Sequence, residues 1–358
     1  MIDSSPPSAL PMPWALPDFV PLLRHSDAGA DFVANAAASW WEWEDPLPTV
    51  LAGLRDLFPG AFYDVGANTG FYSVLIARLD ANRVVRAFEP LSNIAEACAS
   101  NLALAGVAER VTIEHVALSD TDGQAEIFLP PAEGDLIETK ATLEVGFLSA
   151  VAGRTTIDCT TLDHVNQRCD AERIGLIKID VEGAEARVLH GGQRTIARDR
   201  PLISVELLDR GPEGAISDFL RRSSYLAVNL RPGMEIEVAG DAGVADPAGW
   251  NQLLVPSEAL SSVMGRLQTL AADYHRVTGK TQTPNSGAQA RDELLRLPTQ
   301  MLVDQLAIRA RLIEILLSQN RAARYAALTE PEPANVVKRS APKRRALLRK
   351  VRVRLGLD

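Results

Sequence analysis

The stretch FYDVGANTGFYS, residues 62–73, decides the fold of this chain. Its first half is an apolar run typical of a buried strand, and a helical pattern begins directly after two glycines, Gly66 and Gly70. An abrupt strand-to-helix turn of this kind is typical of open α/β sheets, in which ligands bind outside the carboxyl ends of the strands. We therefore predict a ligand-binding loop from Asp64 to Gly70.

The segments around this loop repeat the alternation of strand and helix. Nearly continuous apolar runs predict parallel strands that are covered on both faces. The predicted strands are AFYDVG (61–66), RVVRAFE (83–89), VTIEHVAL (111–118), GLIKIDV (175–181), PLISVEL (201–207), SYLAVNL (224–230) and NQLLVPS (251–257). The predicted helices between them include residues 70–79, 93–106 and 183–196. This pattern predicts an α/β fold with a doubly wound, mostly parallel seven-stranded sheet.

The chain divides into four predicted segments. These are a partly helical N-terminal extension (1–60), the sheet domain (61–256), a helical extension (257–330) and a basic tail (331–358). Ser257 is placed to cap the first C-terminal helix. An apolar stripe on that helix, and a leucine-rich stretch that begins near Thr299, predict packing against the domain or against a second copy of the chain.

Composition limits the class of protein. The 358 residues are 46% hydrophobic and 23% charged, which is typical of globular proteins. No apolar run reaches the roughly 20 residues that span a bilayer. The first residues lack the basic start of a secretory signal. The three cysteines, Cys98, Cys159 and Cys169, lack metal-ligand spacing and suggest reduced thiols. We therefore expect a cytoplasmic protein.

The net charge of −9 is the sum of an acidic main part and a basic C-terminal part of the chain. From Asn335 onward there are nine basic residues and one acidic residue, whereas the rest of the chain carries 28 basic and 45 acidic residues. An acidic body disfavours a nucleic acid as partner, because phosphate binding needs a positive surface. The basic tail can be drawn as an amphipathic helix that lies on an anionic membrane at its inner face. A disordered, solvated tail is the alternative.

The predicted loop suits a cationic ligand that bears a ribose. Its glycine spacing differs from G-x-G-x-x-G, which disfavours a dinucleotide. Gly66 would let the backbone approach the ligand closely, and Gly70 would remove a side chain where the helix lies over it. Asp64 is placed to pair with an ammonium. Glu89, 23 residues after Gly66, is placed to accept hydrogen bonds from ribose hydroxyls. These acids favour S-adenosylmethionine as the cofactor.

Further residues complete the predicted cofactor site. Asn68 lies within the glycine loop, and ALSD (117–120) ends the third strand. Ala117 and Ser119 are expected to flank the adenine, with the polar groups of Ser119 and Asp120 near its amino edge.

The residues as a set resemble the FkbM-type methyltransferase family over about residues 62–256. The resemblance rests on FYDVGANTGFYS, AFEP, VALSD, Thr-Leu-Asp at 161–163, IKIDVEGAE and VLHGG, in this order. It implies a Rossmann-like fold that uses S-adenosylmethionine to methylate an oxygen of a sugar, a glycan or another small molecule. One departure is His115, where relatives often carry Asn.

The fourth strand supplies carboxylates for the chemistry. Methyl transfer requires the acceptor oxygen to be positioned in line and to lose its proton, so a general base is expected nearby. Asp180 and Glu182, in IKIDVEGAE, are the candidates that orient or deprotonate the acceptor, and His190 is a second candidate. Alternatively, Glu182 and Glu185 stabilise the start of the next helix. Binding of a divalent metal by these carboxylates is the third interpretation, because the sequence shows no further cluster of metal-ligating residues.

The sequence leaves two questions open, the role of a tryptophan cluster and the class of function. Trp40, Trp41 and Trp43 either pack the N-terminal extension onto the sheet, which we favour, or form a lid over a sugar. The chain is either an O-methyltransferase, a nicotinamide-dependent oxidoreductase, or a non-catalytic scaffold of the same fold in a glycan-assembly complex.

The turn after the fourth strand disfavours a nucleic-acid methyltransferase. In this fold, methylation of nucleobase amino groups usually relies on an Asn/Asp-Pro-Pro-aromatic turn at that position, whereas this chain has Ile-Asp-Val-Glu-Gly there.

Overall fold

The computed structural model describes residues 10–16, 39–130, 141–148, 150–207, 215–239, 245–246 and 248–279. All of them belong to one compact unit, Met1–Glu293. The leucine-rich stretch near Thr299 and the basic tail lie outside the described residues. Among the described helices, none combines the length and the apolar character that crossing a bilayer requires.

Eleven strands and eight α-helices form the described part of the chain. The strands are β1 (Ala61–Val65), β2 (Val85–Phe88), β3 (Val111–Glu114), β4 (Ala117–Ser119), β5 (Gly123–Leu129), β6 (Gly153–Thr161), β7 (Ile174–Ile179), β8 (Leu202–Glu206), β9 (Tyr225–Arg231), β10 (Glu235–Val238) and β11 (Asn251–Pro256). The helices are α1 (Leu47–Leu54), α2 (Phe71–Leu79), α3 (Ser92–Leu104), α4 (Leu162–Arg168), α5 (Glu185–Gly191), α6 (Gln193–Asp199), α7 (Ala215–Ser223) and α8 (Leu260–Thr278).

The large sheet has the strand order β10-β9-β11-β8-β7-β1-β2-β3. The five strands from β8 to β3 run parallel, and β11 lies antiparallel between β8 and β9. The predicted doubly wound, mostly parallel α/β sheet is thereby confirmed. The predicted number of strands was wrong: the sheet has eight, because the polar segment Glu235–Val238 pairs with β9 at the edge. That segment carries too few apolar residues to be recognised as a strand.

A separate three-stranded sheet, in the order β4-β6-β5, was not predicted. The stretch VTIEHVAL, predicted as one strand, is divided: Val111–Glu114 joins the large sheet and Ala117–Ser119 joins the small one. Strands β5 and β6 are largely exposed and polar, so hydrophobic periodicity did not reveal them. The predicted helix over 183–196 is likewise two helices, α5 and α6.

Alternate residues of the central strands build two hydrophobic cores, one on each face of the sheet. On β1, Phe62 belongs to the core that α1, α2, α3 and α8 cover, whereas Tyr63 belongs to the core that α4 to α7 cover. Residues 61–65 and 174–179 are fully buried. Burial on both faces explains why these strands read as continuous apolar runs.

The segments that flank the sheet pack on the same core. Tyr274 of α8 is fully buried and donates a hydrogen bond from its hydroxyl to Asp45 Oδ2 at 2.8 Å. Trp40 is 1% exposed, with its ring centroid 5.6 Å from that of Phe71. The apolar stripe of α8 therefore contacts its own domain. The predicted cap at Ser257 was wrong: that residue begins a 3₁₀ turn, and α8 begins at Leu260 without a side-chain cap.

Helix α5 approaches the small sheet too closely for a side chain at its last residue. A Cβ added to Gly191 would overlap the carbonyl oxygen of Ser119 in β4. A Cβ added to Gly265, an exposed glycine of α8, would meet no atom within 4 Å. The two glycines differ in their surroundings, although both lie in helices.

We expect Gly191→Ala to lower the free energy of unfolding by about 1–3 kcal/mol or more, because backbone atoms must move to relieve the overlap. We expect Gly265→Ala to raise it by about 0.5–1 kcal/mol, because alanine favours a helix. Urea unfolding of both variants measures these changes. A Gly191→Ala variant as stable as Gly265→Ala would contradict the packing of α5 on β4.

Candidate functional site

A cavity of about 750 Å³ opens at the carboxyl ends of the parallel strands. Its floor is the loop after β1, and its walls come from the ends of β2, β7 and β8, the N-terminal segment 42–45 and the turn that precedes β11. Ligand sites in open α/β sheets lie at this end of the strands. The cavity is therefore the candidate active site.

The two glycines of the loop are required by contacts within the protein. Gly66 has φ +75°, and a Cβ there would overlap the carbonyl oxygen of Asp180 in the neighbouring loop. Gly70 has φ +88°, and its Cβ would lie 2.7 Å from Cys98 Sγ of α3. The predicted close approach of these glycines to a ligand stays a prediction. They bring the β1 loop against the β7 loop and α3, and Gly66 also lines the cavity.

Glu89 reaches the cavity from the end of β2. It is 6% exposed, and its two carboxylate oxygens accept hydrogen bonds from the backbone N–H groups of Asn68 (3.1 Å) and Leu91 (3.0 Å). Each oxygen keeps a second lone pair for a ligand hydroxyl. Burial raises the pKa of Glu89 to about 7, against the effect of both backbone hydrogen bonds. The predicted residues Asn68 and Glu89 thus lie together at the cavity wall.

Asp64 lies below the cavity. It is 1% exposed, it is absent from the described residues that line the cavity, and its Oδ2 accepts a hydrogen bond from the Ser73 hydroxyl at 2.7 Å. The expected contact with a ligand ammonium is corrected: the nearby cation is Lys178, which is the register partner of Asp64 on β7. Burial raises the pKa of Asp64, and Lys178 counteracts part of that increase.

Three charged side chains meet at the ends of β7 and β8. Lys178 is 4% exposed, and its Nζ lies 2.9 Å from Asp180 Oδ2. Burial would raise the pKa of Asp180, but the ammonium of Lys178 and a hydrogen bond with Glu206 hold it below its ordinary value. Burial and the charge of Asp180 raise the pKa of Glu206 to about 11. At neutral pH the site therefore holds an ionised Asp180 between an ammonium and a neutral carboxyl group.

The N-terminal segment adds an acid to this cluster. Glu44 Oε2 accepts a hydrogen bond from the Tyr72 hydroxyl at 2.7 Å, and the Tyr72 ring lies 4.8 Å from Lys178 Nζ. Burial raises the pKa of Glu44, although Lys178 opposes the shift. The charge on Lys178 is thus compensated from three sides, by Asp64, Asp180 and Glu44.

The other acids of IKIDVEGAE have separate positions. Glu182 lines the cavity. Glu185 is 5% exposed and accepts hydrogen bonds from the backbone N–H groups of Val181 and Gly183, at 3.3 and 3.0 Å. It holds the turn before α5 and is absent from the described cavity lining. His190, the second catalytic candidate, is exposed in the last turn of α5, also away from that lining, and we leave it out of the site.

Strand β4, which was predicted as the end of the third strand, contributes apolar side chains to the cavity wall. Ala117 and Leu118 line the cavity. Ser119 is fully buried and donates a hydrogen bond to Asp120 (3.1 Å), which also accepts one from Arg187 Nε (3.0 Å). Ser119 and Asp120 therefore serve the contact with α5, and the expected polar contacts with adenine are corrected to apolar ones.

The two ends of the cavity differ in chemistry. Around Glu89 the walls are apolar, and they are formed by Leu91, Ile94, Ala117, Ile127, Ala141 and Leu143. At the other end stand Glu42, Glu44, Asp45, Asp180, Glu182 and Glu206 around the one described cavity lysine, Lys178. A ligand that carries a flat apolar group, a ribose and a cationic end would place the apolar group against the apolar walls, the ribose at Glu89 and the cation at the acidic end.

Carboxylate oxygens of Asp180, Glu182 and Glu206 lie within 4.8 Å of one another. Sequence reasoning did not bring Glu206 into this group, because it lies on another strand. Since the ammonium of Lys178 already neutralises Asp180, we assign no metal to the cluster.

Two of the site residues that were not predicted, Lys178 and Glu206, could have been recognised as charged residues in otherwise apolar strands. Lys178 interrupts a strand that is otherwise apolar on both faces, and a buried lysine requires acidic partners. Glu206 ends the neighbouring buried strand in the same way. Glu44 could be placed only by the fold, because its segment lies far from the sheet in sequence.

Comparison with known proteins shows which family the central part of the chain resembles. Residues 64–230 match the model described as the methyltransferase FkbM domain. The 2-O-methyltransferase NoeI of Sinorhizobium fredii is 27% identical over 146 residues, which are 38% of this chain and 59% of that protein. The antimetabolite synthetase AmbE of Pseudomonas aeruginosa is 27% identical over 286 residues, 68% of this chain and 13% of that protein.

Both matches span less than two thirds of the relative. Among solved structures, a methyltransferase FkbM from Methylobacillus flagellatus shares 16% identity over 55% of this chain and 42% of that chain, with a TM-score of 0.36. The family match covers the glycine loop, the acid after β2 and the acids after β7. Through residues 64–230, which are slightly less than half of the chain, this protein is therefore similar to the FkbM methyltransferase family.

Proposed function

We propose that this methyltransferase binds S-adenosylmethionine and transfers its methyl group to a hydroxyl oxygen of a small molecule or glycan. The observation that supports this most strongly is a single cavity with Glu89 at its apolar end and the Lys178–Asp180–Glu206 cluster at its acidic end.

The residues present fit this cofactor. The free lone pairs of Glu89 suit the two ribose hydroxyls, and the apolar walls suit the adenine. The acidic end suits the sulfonium and ammonium groups, whereas the pyrophosphate of a dinucleotide would be repelled there. When bound, S-adenosylmethionine supplies a methyl group on a positively charged sulfur.

Asp180 is the residue that we assign to the acceptor hydroxyl. Its low pKa makes it a weak base, but an alcohol oxygen becomes strongly acidic as its new bond to carbon forms, so a weak base can take the proton late in the reaction. Lys178 keeps Asp180 ionised and fixed, and the neutral carboxyl group of Glu206 shares a hydrogen bond with it. Glu182, at the same end of the cavity, is the second candidate for orienting the acceptor.

Oxygen as the acceptor atom is favoured by two considerations. The name of the relative NoeI specifies 2-O-methylation. The site also presents carboxylates, which accept hydrogen bonds from hydroxyl groups.

We expect Glu89→Gln to weaken S-adenosylmethionine binding about 10- to 100-fold, because hydrogen bonds to a charged carboxylate contribute about 1.5–3 kcal/mol each. Isothermal titration calorimetry measures this change. Glu185→Gln is the matched control, since Glu185 is equally buried, holds two backbone N–H groups and lies away from the described cavity lining. Equal losses in the two variants, or tighter binding of NAD than of S-adenosylmethionine, would contradict the assignment.

The pKa of Glu89, about 7, predicts a pH dependence of binding. Above that pH the carboxylate is ionised and accepts hydrogen bonds from ribose; below it the group is protonated and loses acceptor capacity. Affinity for S-adenosylmethionine should therefore fall as the pH is lowered from 8 to 6. The Glu89→Gln variant should show a flatter profile over the same range, and a parallel profile would exclude Glu89 as the cause.

We expect Asp180→Asn to reduce turnover about 100-fold or more while S-adenosylmethionine affinity changes less than about tenfold, because a lost general base affects kcat most directly. Formation of S-adenosylhomocysteine with a panel of sugars and glycans measures turnover. Asp120→Asn is the control, because Asp120 also pairs with a basic side chain, at 3.0 Å, but outside the described cavity lining. Full activity of Asp180→Asn would exclude Asp180 from the chemistry.

A further inference from the structure

The lining of the cavity also includes a group of residues around the start of β11. These residues are Trp43, Pro232, Gly249, Trp250 and Asn251, and we call the part of the cavity that they line the β11 chamber. None of these residues is needed to explain cofactor binding at Glu89. Their chemistry therefore indicates what else the cavity holds.

Asn251 presents a polar amide to the cavity. It is 8% exposed, it lines the cavity, and no described residue forms a hydrogen bond with its side chain. It is the register partner of Glu206 on β8, so both side chains lie on the same face of the sheet. An amide that faces the cavity can form hydrogen bonds with a ligand there. The ligand must offer hydrogen-bonding groups beside the Asp180–Glu206 pair.

Trp250 is a large aromatic side chain that leaves 59% of its surface exposed and lines the same chamber. Its backbone is fixed, because its carbonyl oxygen accepts a hydrogen bond from Leu207 N at 2.7 Å. The turn before it is held by Asp246, whose carboxylate bonds Arg231 Nε at 2.7 Å and Ala248 N at 2.9 Å. A fixed, exposed indole provides a flat apolar surface for a ring.

The charges of the cavity restrict the ligand further. Six acidic residues line this end, and the one described lysine there, Lys178, is already paired with Asp180. A phosphate or a carboxylate on the ligand would be repelled and would find no free cation among the described lining residues. Hydroxyl groups, in contrast, can donate to carboxylates and bond the amide of Asn251.

We infer that the β11 chamber is the methyl-acceptor subsite and that it takes a saccharide ring without a phosphate or carboxylate group. The ring stacks its C–H face on Trp250, and its hydroxyl groups bond Asn251 and the carboxylates beside it. This inference rests on the proposed function for the reaction, and it adds the class of acceptor and two residues that select it.

Saturation-transfer difference NMR of the full-length protein with added S-adenosylhomocysteine tests the subsite. The probes are neutral methyl hexosides, each compared with glucose 6-phosphate and glucuronate. We expect the neutral glycosides to bind and the two anions to bind about tenfold more weakly or not at all. Trp250→Ala and Asn251→Ala should each weaken glycoside binding about tenfold.

The control variant is Trp41→Ala, which also removes an indole, but one that packs against the core away from the described cavity lining. Calorimetry with S-adenosylmethionine is performed on every variant as a check of the donor site. If the wild-type protein does not bind S-adenosylmethionine, the proposed function is overturned. If donor binding is intact while the anions bind best, no neutral glycoside binds, or Trp250→Ala binds glycosides normally, the acceptor subsite is overturned.

Discussion

The buried ammonium of Lys178 is the charge on which the site depends. It lies in the centre of the sheet, where an unpaired cation would be strongly unfavourable. Asp64 pairs with it in register on β1, Asp180 follows it on β7, and Glu44 approaches from the N-terminal segment. Because these acids surround one lysine, its positive charge offsets part of their mutual repulsion below and beside the cavity. Asp180 stays ionised for the same reason, and Glu206 next to it stays protonated.

Segments outside the family match complete the site. Asp45 accepts hydrogen bonds from the Tyr274 hydroxyl at 2.8 Å and from the backbone N–H of Gly233 at 3.0 Å. It thereby ties the N-terminal segment to α8 and to the turn between β9 and β10. This connection places Glu44 against Tyr72 and Trp43 at the cavity wall. The N-terminal extension therefore contributes side chains directly to the acidic end of the cavity, and α8 supports them through the hydrogen bond from Tyr274 to Asp45.

Much of the fold could be predicted from the sequence, because the central strands are buried on both faces and read as apolar runs. The loop at Gly66 and the acid at Glu89 were recognised from local spacing alone. The structure shows that Gly66 is also required by contact with the β7 loop. That Glu206 and Asn251 are neighbours could not be predicted, because only the antiparallel pairing of β8 with β11 brings them together. Polar edge strands were missed for the same reason: their pairing is a property of the sheet and not of local hydrophobicity.

One orientation of S-adenosylmethionine in the cavity is expected, in which each part of the molecule faces a different group of lining residues. A crystal structure of the protein with S-adenosylhomocysteine tests it most directly. We predict that the ribose hydroxyls bond Glu89, that the adenine lies between Leu91 and Ile127, and that the sulfur faces Asp180. A ligand whose ribose lies away from Glu89, or whose sulfur points away from the acidic end, would contradict the account.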